Sequence, residues 1–207
     1  MTTLYYIHDP MCSWCWGGKQ VIESLLNNLP AEVQVEKLLG GLASDSDAIM
    51  PTETQAYIKQ TWQRIADKIP GVDFNFDFWT KCTPKRSTYP ACRAVIAARM
   101  QDPEAADKMI SAIQQAYYQQ ARNPSEIITL VEIAAEIGLD ADRFHVDLLS
   151  VSVDQMLQKE ITFAREIGVN SYPSLVLEVD GGYWPVAIDY LDPTTMLNTI
   201  NDIMSFQ

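Results

Sequence analysis

Cys12 and Cys15, separated by Ser13 and Trp14, are the residues of this chain best suited to chemistry. They stand where a run of strand-forming residues gives way to a helical pattern, which places them at a predicted helix N-terminus. Residues at this spacing share one face of a helix, so their sulfurs can bond and separate with little backbone movement. The unsatisfied N–H groups of a helix N-terminus favour a thiolate over a thiol. Spacing and position together predict a redox-active pair.

A zinc site is the alternative interpretation of the two cysteines. A structural zinc ion needs four protein ligands, so two more would have to come from elsewhere in the chain. The candidates are Cys82, Cys92, His8 and His145, and the sequence contains neither a second CxxC nor an HxxxH motif. We therefore expect no metal.

The elements that must position the cysteines begin with a strand, a helix and a second strand. Residues 3–8 are apolar without alternation, which is typical of a strand buried on both faces. From Cys12 a single helical pattern runs to Pro30, and residues 33–39 form the next predicted strand, closed by Gly40-Gly41. From residue 52 to residue 149 the pattern is helix after helix. Thr52 and Gln55 predict a capping box at the start of that block.

Alternation between strand and helix returns near residue 150. Ser152 and Gln155 predict a second capping box, which opens a helix that ends at Gly168. The later predicted elements are a strand over 174–179, a hairpin turn at Asp180-Gly181-Gly182, a strand over 183–187 and a helix from Pro193. Without the helical block, a compact four-stranded α/β core remains. We predict a core of residues 1–47 and 151–207 and an inserted helical subdomain over 48–150.

The overall composition excludes several classes of partner. The chain has 207 residues and a net charge of -12, without any run of Lys or Arg, which argues against nucleic acid and anionic membrane surfaces. No stretch approaches the ~18 apolar residues that a membrane span requires. The first residues lack a basic segment and a small-residue cleavage site, so we expect a cytoplasmic protein, in a compartment that keeps thiols reduced.

The element order, the CxxC at the first strand–helix turn and Tyr172-Pro173 before the third strand together resemble the thioredoxin fold. The helical block is similar to that of the DsbA-like branch. Residues 9–17, Asp-Pro-Met-Cys-Ser-Trp-Cys-Trp-Gly, resemble the FrnE-like, predicted protein-disulfide isomerase members of that branch. The resemblance implies a thioredoxin-like α/β fold and a thiol–disulfide oxidoreductase of the reductase or isomerase type.

The resemblance also implies roles for individual residues. Cys12 would be the exposed nucleophile and Cys15 the buried resolving cysteine. Pro173 would follow a cis peptide bond and pack beside the CxxC, and Tyr172 would offer its backbone groups to an extended substrate. Ser13 and Trp14, between the cysteines, are further candidates for substrate contact.

Some FrnE-like members carry a second cysteine pair, which makes Cys82 and Cys92 a candidate pair here. They flank a turn with two prolines that could bring them within disulfide reach. The other interpretation is that both are small buried apolar side chains.

Tyr6 is a departure from the family pattern. Thioredoxins and DsbA carry a buried carboxylate six residues before the first cysteine, where it assists proton transfer to the resolving thiol. Tyr6 occupies that position, and the nearest titratable residues are His8 and Asp9. His8 is therefore a candidate proton relay, although a buried core histidine is the alternative.

The expected reaction needs no cofactor beyond the cysteine pair, with glutathione as a candidate reductant or substrate. The expected partners are protein or peptide thiols and disulfides, with glutathione or a thioredoxin-type protein for recycling. Kappa-class glutathione transferases and 2-hydroxychromene-2-carboxylate isomerases share the helical insertion and provide one alternative function, although they typically replace a motif cysteine. A peptide-binding, chaperone-like module is the other alternative.

Overall fold

A computed structural model describes residues 2–205 and contains a four-stranded mixed sheet. The strands are β1 (Thr2–His8), β2 (Val33–Leu39), β3 (Ser174–Val179) and β4 (Gly182–Val186), in the order β2-β1-β3-β4. β2 is parallel to β1, whereas β3 is antiparallel to both β1 and β4. The thioredoxin-like fold predicted from the sequence is confirmed.

Ten helices are described along residues 2–205. α1 (Ser13–Gly17) and α2 (Lys19–Asn27) connect β1 to β2. Six helices follow β2: α3 (Thr52–Lys68), α4 (Phe78–Lys81), α5 (Tyr89–Gln101), α6 (Ala105–Tyr118), α7 (Ile127–Glu136) and α8 (Ala141–Leu148). α9 (Val151–Glu166) precedes β3, and α10 (Pro193–Ser205) follows β4. The division into a core and an inserted subdomain stays a prediction, and its residues 1, 206 and 207 lie outside the described part.

β1 is buried on both faces, as its apolar sequence predicts. Leu4 and Tyr6 face the cluster that contains α2 and α10, whereas Tyr5 and Ile7 face the cluster that contains α9. Since side chains alternate along a strand, helices on both faces fix the strand in position. The end of β1, where the CxxC segment begins, is therefore firmly held.

The helical segment after β1 is two helices instead of the single predicted one. Gly18 separates α1 from α2, with φ −81° and ψ 0°. The neighbouring Gly17 lies against α3, because a Cβ at that position would come within 2.6 Å of Cγ2 of Ile65. The close approach that glycine permits lets α1 pack directly on α3.

Both predicted capping boxes were wrong. Pro51, not Thr52, is the N-cap of α3, and the side chain of Gln55 donates a hydrogen bond to the Met50 carbonyl at 2.8 Å. Ser150, not Ser152, caps α9 and accepts a hydrogen bond from the backbone of Val153 at 3.2 Å. In both cases the residue that precedes the helix is already extended, which moves the helix start towards the N-terminus.

The hairpin between β3 and β4 agrees with its sequence signal. Asp180 and Gly181 both have positive φ, 50° and 80°, as a tight two-residue hairpin turn requires. Across residues 2–205, every helix is too short or too polar to cross a lipid bilayer.

Candidate active site

Cys12 and Cys15 lie where the chain leaves β1 and enters α1. Cys12 is the N-cap residue of α1: its backbone N–H donates to the Asp9 carbonyl at 3.0 Å, and its own carbonyl accepts from Trp16 at 3.1 Å. Both cysteines are free thiols. Burial, followed by the hydrogen bond and charge of the Cys12 thiol, raises the pKa of Cys15 well above its usual value. The two cysteines therefore lie close together and differ in environment.

The Cys12 side chain is less exposed than the resemblance implies. It is 5% exposed, compared with 1% for Cys15. Its thiol donates a hydrogen bond to the carbonyl of Tyr172 at 3.3 Å, so the loop before β3 covers it. The peptide bond between Tyr172 and Pro173 is cis.

The loop before β3 is held against the loop after β2. The Tyr172 hydroxyl donates to the Gly40 carbonyl at 2.6 Å. A Cβ on Gly40 would lie 2.0 Å from Cε1 of the Tyr172 ring, so only glycine lets the ring lie there. The Tyr172 side chain therefore fixes the position of the carbonyl that meets Cys12.

Asp9 is a fully buried carboxylate directly before the CxxC segment. It accepts hydrogen bonds from the backbone of Met11 (2.8 Å) and Leu42 (2.7 Å), from the Thr88 hydroxyl (2.6 Å) and from the Cys92 thiol (3.4 Å). Burial raises the pKa of Asp9, and these hydrogen bonds oppose that rise. Asp9 thus ties the end of β1 to α5 and to the loop after β2. The sequence showed Asp9 only as one of the titratable residues nearest to Tyr6.

Cys82 and Cys92 are free thiols with different partners. The Cys82 thiol donates to the Ala121 carbonyl at 3.0 Å, whereas the Cys92 thiol donates to Asp9. Burial raises the pKa of both, and that of Cys92 lies well above its usual value. Both are free thiols in the structure, and their role as a second cysteine pair stays a prediction.

Trp14 is partly exposed and packs on the ring of Tyr190, with ring centroids 4.8 Å apart. The amino group of Lys68 lies 5.7 Å from the Trp14 centroid and 5.5 Å from the Tyr190 centroid, in the range of a cation–π contact. The Ser13 hydroxyl accepts a hydrogen bond from the Trp62 indole N–H at 3.0 Å, so it anchors the CxxC turn to α3. Substrate contact by Ser13 and Trp14 stays a prediction.

A groove of about 680 Å³ runs beside this aromatic pair. Its walls are residues 167–171, Pro173, the first half of β3, the segment 185–188 and the Tyr190 side chain. The groove therefore begins at the loop whose carbonyl meets the Cys12 thiol.

His8 and Tyr6 lie side by side on β1, and their rings stack at 4.9 Å. Burial lowers the pKa of His8 to about 4, so it is neutral at pH 7. Tyr6 and Cys15 line the same cavity. Burial, followed by the charges of Cys15 and Cys12, raises the pKa of Tyr6 well above its usual value. In the sequence, Tyr6 was notable only because it stands where thioredoxins and DsbA carry a buried carboxylate. Within residues 2–205, no three His, Cys, Asp or Glu side chains are grouped to hold a metal ion.

These features define the class of protein. A sheet of order β2-β1-β3-β4, two cysteines at the first strand–helix turn and an X-Pro loop packed on the first cysteine are those of a DsbA-like thioredoxin fold. The model of a family described as thioredoxin matches residues 5–180. The chain belongs to this thioredoxin family.

Individual relatives are distant. The ClpXP adapter protein SpxH of Bacillus subtilis (strain 168) is 27% identical over 176 residues, which are 83% of this chain and 56% of that protein. The chain thus spans little more than half the length of this curated relative.

Two solved structures share the fold over nearly their whole length. A Nitrosomonas europaea protein, provisionally classed as a protein disulfide isomerase, has a TM-score of 0.84 and 25% identity, covering 100% of this chain and 98% of that one. The cytosolic disulfide reductase DsbM of Pseudomonas aeruginosa has a TM-score of 0.75 and 24% identity, covering 99% and 100%. DsbM has also been solved with GSH.

Proposed function

We propose that this protein is a thiol–disulfide oxidoreductase of the protein-disulfide reductase or isomerase type, with Cys12 and Cys15 as its redox pair. One observation supports this more than any other. The Cys12 thiol donates a hydrogen bond to the backbone carbonyl of Tyr172 at 3.3 Å and is 5% exposed, whereas Cys15 lies close by and is 1% exposed. An incoming disulfide would meet Cys12 first, and Cys15 would be in place for the second exchange.

The proposed reaction consists of two sulfur exchanges. The Cys12 thiolate attacks one sulfur of the substrate disulfide, which forms a mixed disulfide and releases the first substrate thiolate. Cys15 then loses its proton and attacks Cys12 Sγ, which closes the Cys12–Cys15 disulfide and releases the second thiolate. The enzyme loses two electrons and the substrate gains them. The second attack is intramolecular, so its effective concentration is high.

The raised pKa of Cys15 separates the two roles. A thiolate is the nucleophile in both exchanges, and a thiol that keeps its proton does not compete for the substrate. Cys15 therefore stays protonated until the mixed disulfide has formed.

A protein or peptide segment in extended form fits the groove of about 680 Å³ that Pro173 and Tyr190 help to line. Pro173 and Tyr190 form its walls near Cys12, and Trp14 packs on Tyr190. We propose that Tyr172 and Pro173 position the substrate backbone and that the exposed part of Trp14 contacts its side chains. Partners of this kind are disulfide-bearing proteins and peptides.

Insulin-disulfide reduction tests the proposed activity. The wild type should reduce insulin, and Cys12→Ser should have no more activity than the buffer. Cys82→Ser is the matched control, because it removes a free thiol that contacts neither motif cysteine, and it should retain wild-type activity. Equal activity of wild type and Cys12→Ser would overturn the proposal.

Glutathione is the proposed recycling reductant, with the structural likeness to DsbM as support. A protein working in the cytoplasm, as the sequence led us to expect, would run as a reductase or isomerase. The oxidised protein should therefore become reduced when mixed with millimolar glutathione, as measured by thiol counting. If only a thioredoxin-type protein reduces it, glutathione is not its reductant.

An adapter role is the second candidate function, and the match to SpxH over 83% of the chain favours it. An adapter binds its partner through a surface and needs no redox chemistry. Binding to ClpX in a pull-down with purified proteins would support this role if it survives the double change Cys12→Ser/Cys15→Ser. Absence of binding in the wild type would reject it.

A further inference from the structure

A cavity of about 460 Å³ reaches Cys15 from the side of β2 and α6. Its lining includes Tyr6 and His8 from β1, Val35 and Lys37 from β2, Gln114 from α6, and Cys15 itself. Cys12 does not line it. The cavity therefore gives access to the resolving cysteine alone.

The cavity is polar enough and large enough to hold water. Gln114 is 3% exposed, and its side-chain oxygen has no hydrogen-bond partner in the protein. Lys37 pairs with Asp107 at 2.7 Å, and Lys19 donates to Ser111 at 2.7 Å on the same lining. One water occupies about 30 Å³ of the liquid, so several fit among these groups.

The proposed reaction requires a group that accepts the proton of the Cys15 thiol. Cys15 is 1% exposed, and its raised pKa keeps it protonated until it attacks. Asp9 is the nearest buried carboxylate, but its two oxygens already accept four hydrogen bonds from Met11, Leu42, Thr88 and Cys92. The Asp9 carboxylate thus stabilises the fold through these hydrogen bonds.

We propose that the cavity is the proton exit of Cys15 and that Tyr6 transfers the proton from the Cys15 thiol to water in the cavity. This inference rests on the proposed function. As Cys15 Sγ attacks the mixed disulfide at Cys12, its proton passes to the Tyr6 oxygen while the Tyr6 hydroxyl proton passes to water. The Cys12–Cys15 bond forms, the bond from Cys12 to the substrate breaks, and the substrate leaves as a thiolate.

The surrounding charges suit a transfer in which Tyr6 never ionises. The pKa of Tyr6 is raised well above its usual value, so it can pass a proton only by accepting one and donating one together. The titratable groups that face Cys15 are Cys12, Tyr6, Asp9, Tyr118 and Tyr190. Those on the cavity wall are His8, Lys19, Glu23, Lys37 and Asp107. His8 stacks on Tyr6 and stays neutral at pH 7, so it supports the ring without competing for the proton.

Stopped-flow reaction with the aromatic disulfide dithiobis(nitrobenzoate) separates the two steps. Attack by Cys12 releases a first coloured thiolate, and resolution by Cys15 releases a second. The Cys15→Ser variant identifies the second phase, because it lacks that phase, and every protein compared carries Cys82→Ser, since the partly exposed Cys82 thiol would add its own signal. Tyr6→Phe keeps the ring that stacks on His8 and removes the hydroxyl, so its fold should be intact, which a melting curve checks.

Tyr6→Phe should leave the first phase unchanged and slow the second at least about a hundredfold at neutral pH, the lower end of what proton transfer contributes. The deficit should narrow as the pH rises from about 7 to about 10, because hydroxide in the cavity can then take the Cys15 proton directly without Tyr6. An equal second phase in Tyr6→Phe and wild type, or a deficit independent of pH, would overturn the inference.

A second variant closes the cavity without touching Tyr6. Val35 is 38% exposed on the cavity wall, and Val35→Trp should fill the opening and slow the second phase in the same way. Gln34→Trp is the matched control, because it lies next to Val35 but outside the lining, and should react as the wild type. Wild-type kinetics in Val35→Trp would contradict the route. A wild type without any first phase would reject the proposed function itself, which keeps the two failures distinct.

Discussion

Gly40→Ala tests how the loop before β3 is held. The added Cβ would lie 2.0 Å from Cε1 and 2.4 Å from Cζ of the Tyr172 ring, far inside contact distance. The φ of Gly40 is not positive, so alanine meets no backbone strain there. The clash with one side chain is thus the dominant effect of the substitution.

The expected cost follows from two contributions. Overpacking of a filled site costs about 1–3 kcal/mol. Displacement of the ring also breaks the hydrogen bond from the Tyr172 hydroxyl to the Gly40 carbonyl, for about 0.5–1.5 kcal/mol. Gly40→Ala should therefore reduce the free energy of unfolding by about 2–4 kcal/mol. It should also slow the reaction of Cys12, because the Tyr172 carbonyl moves with its ring.

A double-mutant cycle is the assay. Urea unfolding of the wild type, Gly40→Ala, Tyr172→Ala and the double variant gives the cost of Gly40→Ala with and without the ring. That cost should be below about 1 kcal/mol in the Tyr172→Ala background, since the clash is then absent. An equal cost in both backgrounds would refute the reasoning.

Further predictions concern the buried polar residues near the site. Asp9→Ala leaves the Met11 and Leu42 amides without their acceptor and should cost about 3 kcal/mol, seen as a melting temperature lower by about 6–12 °C; a loss below about 1 kcal/mol would contradict the role of this carboxylate. The pKa of His8 is about 4 in the folded protein and 6.5 in the unfolded chain. As the pH drops from 6.5 to 4, the unfolded chain therefore binds a proton that the folded protein does not, and the free energy of unfolding falls. Between about pH 7 and about pH 5 this amounts to about 2 kcal/mol, which His8→Gln should abolish in urea titrations at both pH values; an unchanged pH dependence would be the contrary result. Cys92 is fully buried, whereas Cys82 is partly exposed, so native alkylation followed by peptide mass analysis should find Cys82 modified at least about ten times faster; equal rates would show that the buried cluster around Asp9 opens readily.

Features encoded by short stretches of sequence could be predicted. The CxxC turn, the Tyr172-Pro173 loop and the 180–181 hairpin each depend on residues adjacent in the chain, and the thioredoxin-like fold followed from the resemblance they carry. The residue at which a helix begins could not be predicted from such a stretch. Ser150 and Ser152 stand before the same apolar run, and only the backbone conformation of Ser150 decides which of them is the cap.

Contacts between distant parts of the chain could not be predicted. Thr88 and Cys92 meet Asp9 across 79 and 83 residues, and Gly40 meets Tyr172 across 132. These pairs depend on how the helical block packs against the sheet, which hydrophobic periodicity along one segment does not encode. For the same reason the cavity behind Cys15 had no signal in the sequence, although Tyr6 was already conspicuous as a departure from the family pattern.

Trapping of the mixed disulfide tests the central claim most directly. Cys15→Ser removes the resolving thiol, so its reaction with a peptide disulfide should stop at a covalent adduct of one peptide, which intact mass and peptide mapping should place on Cys12. The wild type should pass through the adduct and accumulate the Cys12–Cys15 disulfide instead. Absence of any adduct in Cys15→Ser, or an adduct on Cys82 or Cys92, would contradict the assignment of Cys12 and Cys15 as the redox pair.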